Sequence, residues 1–232
     1  MKIDYLRLLL TAVFPGIALS IAVYLVDRYD KEPIKLLLKI FLLGALSTIP
    51  VFFIEKLLSS FNNFIFTGII NIAFTSFIIA GFTEEYFKRL VVLKFAFNNS
   101  AFNEKMDGIV YCVFSALGFA TLENILYVFS HFSTNPYIGL YRGILSVPAH
   151  FLFAITMGYY MSMAKYCDNP TLCKNYYRKS IVVPIILHGI FDFILMSQIE
   201  FLMTLFIPFV LYMWFANLKK LNIYYRVQKP IP

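Results

Sequence analysis

The chain has 232 residues, of which 60% are hydrophobic and only 14% charged, and it carries a formal net charge of +7. So few charges cannot solvate a globular surface, which excludes a soluble domain and points to a membrane protein. The positive charge is spread over several loops without aromatic interleaving, a pattern that suits anionic lipid headgroups and argues against a nucleic-acid surface.

Apolar runs of about 17–25 residues have the length of a bilayer-crossing helix. Seven follow one another: about Leu6 to Val26, Lys35 to Ile54, Phe64 to Leu93, Gly108 to Ser130, Ile138 to Met163, Ile181 to Ser197, and Phe201 to Leu218. The expected fold is therefore all-α and polytopic, a bundle of about seven transmembrane helices around an intramembrane polar cavity, in one domain over 1–232. The third run is overlong and reads either as a tilted helix or as a re-entrant piece leading into a helix. Met1 to Asp4 lacks the features of a cleaved secretory signal, so the first run is expected to be retained. Cys112, Cys167 and Cys173 have no paired spacing, and neither a disulfide framework nor a cysteine metal site is expected. The polar connection from Lys165 to Ser180, with its Asn169-Pro170 pair, reads as a loop.

Lys and Arg set the orientation, because cytoplasmic loops hold the excess. Arg28, Lys31 and Lys35 fall in the first connection, Lys94 and Lys105 in the third, Lys165, Lys174, Arg178 and Lys179 in the fifth. Lys219, Lys220, Arg226 and Lys229 fall in the tail. The alternate connections are nearly bare, with Lys56 in the second and Arg142 at the edge of the fourth. An outside N-terminus and a cytoplasmic C-terminus follow, with Lys2 and Arg7 opposing them at the first span.

Four spans carry ionisable residues inside their apolar stretches, where charge costs roughly 2.5–3.5 kcal/mol per residue and marks function by default. In the third, Glu84 and Glu85 are followed by Lys88 and Arg89, giving the i,i+4 pairs Glu84–Lys88 and Glu85–Arg89. The two glutamates lie about 100° apart round the helix, so they are not expected to face one reacting atom. The fourth span places Glu123 and Asn124 at depth, and the fifth His150 two residues after Pro148. The sixth sets His188 and Asp192 four apart, a spacing at which a carboxylate orients an imidazole for base catalysis or for metal binding. Such groups on facing helices suit either hydrolysis in a sheltered pocket or proton and cation translocation.

The ordered motifs resemble those of the PrsW family of bacterial intramembrane proteases, distantly similar to the CAAX prenyl endopeptidase and bacteriocin-immunity superfamily. The resemblance runs through D-R-Y-D-K-E-P at Asp27 to Pro33, E-E-Y-F-K-R at Glu84 to Arg89, D-G-I-V-Y at Asp107 to Tyr111, and G-F-A-T-L-E-N at Gly118 to Asn124. It ends with P-A-H-F at Pro148 to Phe151 and H-G-I-F-D at His188 to Asp192. Where the superfamily has F-x-x-x-H, this chain has F-x-x-x-E ending at Glu123. The resemblance implies a multi-pass protein of a bacterial cell membrane that cleaves a single-span membrane protein, such as an anti-sigma factor at the first cut of a stress-signalling cascade.

The residues themselves supply a mechanism. Glu84 or Glu85 takes a proton from water, His188 is oriented by Asp192, and Glu123 completes the catalytic set. His150, His188 or Asn124 donate to the oxyanion, and Arg89 holds one glutamate ionised. A zinc version would use His150, His188 and one of Glu84, Glu85 and Glu123. H-E-x-x-H is absent, and the reading without a cofactor is favoured. Glu123 and His188 differ in depth by roughly 12 Å on straight helices. Spans that are offset, or kinked at Pro148 and Pro184, are therefore expected to bring Glu84 or Glu85, Glu123, His150 and His188 round one hydrated cavity.

Overall fold

The computed structural model describes residues 5–28, 30–135 and 137–227, and among them all regular structure is helical. Lys2, Lys229 and the Met1 to Asp4 stretch lie outside the described residues. The helices are α1 (Tyr5–Val26), α2 (Ile34–Ile65), α3 (Gly68–Phe74), α4 (Thr83–Phe95), α5 (Lys105–His131), α6 (Ile138–Ile144), α7 (Ser146–Lys165), α8 (Pro170–Ser197) and α9 (Glu200–Val227). A π-helical stretch, Thr75–Phe82, joins α3 to α4 end to end. The overlong third run is thus one continuous helical rod over 68–95.

Among the described residues, six helical segments are long and apolar enough to cross a membrane: α1, α2, α5, the α6–α7 pair, α8 and α9. The rod over 68–95, with its five charged residues, is the seventh member of the bundle. Large apolar side chains point outward all round it, including Phe64 at 89% exposure, Phe14, Leu57, Phe201 and Phe215. Water would penalise such a surface, whereas hydrocarbon accepts it.

Helix α5 is the axis. In its apolar stretch 78% of residues are buried, against 17% in α9 and 22% in α1, and α1, α2 and α7 all pack on it. Small residues permit this. A Cβ on Gly118 would lie 2.0 Å from the Phe41 carbonyl oxygen of α2, so the two backbones meet where no side chain fits.

At one end of the bundle the connection between α1 and α2 folds against the start of α5. Asp27, Glu32 and Asp107 are buried there, and Tyr111 donates a hydrogen bond to Glu32. Asp107 Oδ2 accepts from the backbone N–H groups of Asn103 and Glu104, at 2.7 and 2.6 Å, within a capping box at the α5 N-terminus. Glu32 is pushed up to about 10 by burial and then by the neighbouring Asp107, Asp27 and Asp30.

Several expectations are corrected. Helices α2, α8 and α9 extend beyond their apolar runs, because hydropathy reports the bilayer-matched part of a helix and not its polar ends. Most of the connection from Lys165 to Ser180 is the first turns of α8, started by Asn169, whose side chain accepts from the N–H groups of Thr171 and Leu172. That same turn brings Cys167 and Cys173 to a Cα separation of 5.7 Å, and they form a disulfide despite their uneven spacing. The helix carrying Pro148 breaks at Leu145, three residues earlier, which leaves the proline in the first turn of α7 where its missing N–H is tolerated. Pro184 sits inside an uninterrupted α8.

Candidate active site

The π-helical stretch delivers Glu84 and Glu85 to the first turn of α4, which packs against α2, α5 and α8, and Glu84 Oε2 comes within 4.0 Å of His150 Nδ1 of α7. Thr83 Oγ1 bonds the Ile78 carbonyl at 3.2 Å, five residues back, in keeping with the wider turn. Close approach to α8 occurs just before it. A Cβ on Gly81 would sit 2.9 Å from Ser76 O and 3.1 Å from Ile185 O, so glycine lets the rod come within reach of His188.

The two glutamates converge after all, through Lys88. Its Nζ is 2.9 Å from Glu84 Oε2, 2.8 Å from Glu85 Oε1 and 2.9 Å from His150 Nδ1. At i,i+4 and i,i+3, two long carboxylate side chains flank one lysine on adjacent rows of the helix, which is why a separation of about 100° does not keep them apart. Lys88 is 1% exposed and also lies 4.4 Å over the ring of Phe119. Its backbone carbonyl accepts from Ser115 Oγ of α5.

Arg89 does not pair with Glu85. It turns to α8, donating to Ser180 Oγ at 3.0 Å and to the Tyr177 carbonyl at 3.2 Å while lying over the Tyr177 ring. Its role in the structure is to brace α4 against α8.

The histidines differ in state. His150 Nδ1 faces the Lys88 ammonium, which only donates, so this nitrogen accepts; its Nε2 then carries the proton and donates to Glu123 Oε2 at 3.2 Å. His188 has a carboxylate at each nitrogen, Glu85 Oε1 at 3.0 Å and Asp192 Oδ2 at 3.3 Å. Both contacts are hydrogen bonds only when both nitrogens are protonated. The two rings stand edge to face with centroids 5.3 Å apart, and Phe153 stacks on His188.

Glu123 reaches the cluster through His150, without kinking α8. Arg142 of α6 completes this arm, with Nη2 2.8 Å from Glu123 Oε2 and Nε 3.2 Å from Asn124 Oδ1. Asn124 gives an amide N–H to the Ala12 carbonyl of α1 at 2.9 Å and so ties the arm to α1. Two residues of the centre escaped the sequence reading. Arg142 was counted only for orientation, although a cation beside a helix break in an apolar run is itself a signal. Glu55 of α2, which interacts electrostatically with Glu84, Glu123, His188 and Lys88, sits one residue past the end of its apolar run.

Glu84, Glu85, His150 and His188 each offer a ligand atom, and all four atoms lie within 4.8 Å of one another. Two imidazoles with carboxylates are a zinc donor set. Glu85 Oε2 is buried without a hydrogen-bond partner, leaving a free lone pair in the cluster. The residues fit a metal ion, and the Lys88 ammonium stands among the donors a metal would use.

A family model described as PrsW family intramembrane metalloprotease matches residues 32–216. Protease PrsW of Clostridioides difficile (strain 630) is 40% identical over 233 residues, covering 100% of this chain and 95% of that protein. Protease PrsW of Bacillus subtilis (strain 168) is 36% identical, covering 90% and 91%. Protease PrsW of Geobacillus kaustophilus (strain HTA426) is 35% identical, covering 93% and 91%. No solved structure matches the chain. Relatives that are proteases along nearly their whole length, and a matching stretch that contains every residue of the buried charged centre, lead to one conclusion: the chain belongs to the PrsW family and is a multi-pass, membrane-embedded peptidase.

Proposed function

We propose that the chain, acting as a single protease domain, cleaves one peptide bond of a single-span membrane protein at the centre formed by Glu84, Glu85, His150 and His188. The observation carrying this reading is the convergence of four chemically competent donors from three separate rods on one buried point. Glu84, the more accessible of the two glutamates, takes a proton from water, and the resulting hydroxide attacks the scissile carbonyl carbon. The Lys88 ammonium stabilises the oxyanion. As the C–N bond breaks, the proton held by Glu84 passes to the leaving amine. His188, clamped by Glu85 and Asp192, holds Glu85 in place, and Glu123 fixes the tautomer of His150.

The family description favours a second version of the same hydrolysis, in which Glu84, Glu85, His150 and His188 hold Zn²⁺. Such an ion would polarise the carbonyl and lower the pKa of water. Here too the chain's own part is to orient the donors and to exclude bulk water.

The family resemblance implies the substrate class, a single-span protein such as an anti-sigma factor, cut first in a stress-signalling cascade of a bacterial cell membrane, and the setting of the centre among spans supports it. The excess of Lys and Arg in alternate connections supports an outside N-terminus and a cytoplasmic C-terminus. The E-E-x-x-x-R and H-x-x-x-D elements support a distant relation to the CAAX prenyl endopeptidase superfamily. The test is cleavage of a tagged single-span protein by purified protein in detergent. Hydrolysis that persists in a strong chelator supports the glutamate version, and loss restored by Zn²⁺ supports the other. Proton or cation flux without hydrolysis would replace both by a transporter.

A further inference from the structure

The position of Lys88 has a consequence for metal binding. Glu84 Oε2, Glu85 Oε1 and His150 Nδ1 all direct lone pairs at its Nζ from 2.8 to 2.9 Å, and these three residues with His188 form the group able to hold a metal. The same lone pairs cannot serve an ammonium and a metal ion at once, and two cations that close repel. We propose that Lys88 and a divalent metal ion compete for one cation position, so that the lysine side chain governs whether the centre takes metal. The proposal rests on reading these donors as the active centre.

The exchange is chemically reasonable on both sides. Lys88 has a flexible four-carbon stem that lets its ammonium swing off the donors. Departure of Lys88 frees two carboxylate oxygens and the His150 nitrogen in the state a metal requires, unprotonated at Nδ1.

The experiment is calorimetric titration of Zn²⁺ into the full-length protein in detergent, with bound metal counted by elemental mass spectrometry. Lys88→Met keeps the volume of the stem and removes the charge. It is expected to bind one Zn²⁺ at least about tenfold more tightly than the unsubstituted protein, and adding His150→Ala is expected to cancel the gain. Equal or weaker binding by Lys88→Met, or no binding by either protein, overturns the proposal. Should Lys88→Met not fold, acylation of the unsubstituted protein decides. Lys88, 1% exposed, is expected to react several-fold faster with an amine-acylating reagent when Zn²⁺ is bound, as read by peptide mass spectrometry. An unchanged rate at full zinc occupancy overturns the proposal. Both readouts measure binding, so absence of proteolysis would count against the proposed function and leave this result standing.

Discussion

Arg142 shows how one side chain can hold Glu123 in place from outside the cluster of Glu84, Glu85, His150 and His188. Its guanidinium binds Glu123 and Asn124 with two different nitrogens and lies 3.9 Å over the Tyr127 ring. Glu123 is thereby fixed where it accepts from His150 Nε2. Removing the guanidinium frees Glu123 to rotate away from His150 Nε2 and so loosens the imidazole. Arg142→Gln is expected to lower kcat roughly 10–100-fold, the usual scale for a lost orienting partner, with little change in KM. Arg142→Lys should restore only part of it, since a lysine has no second nitrogen for Asn124. An unchanged kcat with a raised KM would place Arg142 in substrate binding. Lys88 is different in kind: it neutralises two buried glutamates directly, and breaking a buried pair by deleting one partner costs about 3–5 kcal/mol.

The joint between the α1–α2 connection and α5 is where pH acts on an element. Glu32 lies outside the spanning helices, buried beside Asp107 and bonded by Tyr111. Its pKa is raised to about 10 by burial and by neighbouring carboxylates. In the folded protein it therefore keeps its proton at pH 7, whereas in the unfolded chain it ionises near its ordinary 4.5. The folded state binds the extra proton, so Glu32 withdraws stability as pH rises through the window from about 4.5 to about 10. Thermal unfolding in detergent is expected to show Glu32→Gln losing less stability between pH 6 and pH 9 than the unsubstituted protein. Identical pH dependence would mean that Glu32 is already ionised in the fold.

Much at this scale is legible in the sequence. Seven apolar runs correspond to seven helical rods, because bilayer thickness fixes run length. Helix ends are not legible: Asn62 and Tyr224 are buried in polar terminal turns that hydropathy assigns to loops. Nor does periodicity reveal the π-helical stretch, an irregularity of hydrogen bonding that depends on packing against α8. Among site residues, the motifs bring Glu84, Glu85, Glu123, His150, His188 and Asp192 into one cluster. The pairing of Lys88 rather than Arg89 with the glutamates is a matter of rotamer and tertiary partner, Ser180 and Tyr177 having drawn Arg89 away. Arg142 and Glu55 needed the fold, since their partners lie on other helices.

At the scale of the whole molecule, the bundle surrounds α5 with helices whose outer faces are apolar and whose charges are gathered at the centre. Enclosing charge in this way is costly even when it is paired, which marks the centre as functional. The central claim is that Glu84 and Glu85 serve peptide hydrolysis. Its most direct test compares Glu84→Gln and Glu85→Gln with the unsubstituted protein, purified in detergent, on a tagged single-span substrate. Glutamine keeps the shape of glutamate and cannot accept the proton. The expected result is loss of cleavage in at least one variant that still elutes as a folded monodisperse species and unfolds cooperatively. Full cleavage by both single variants would contradict the account.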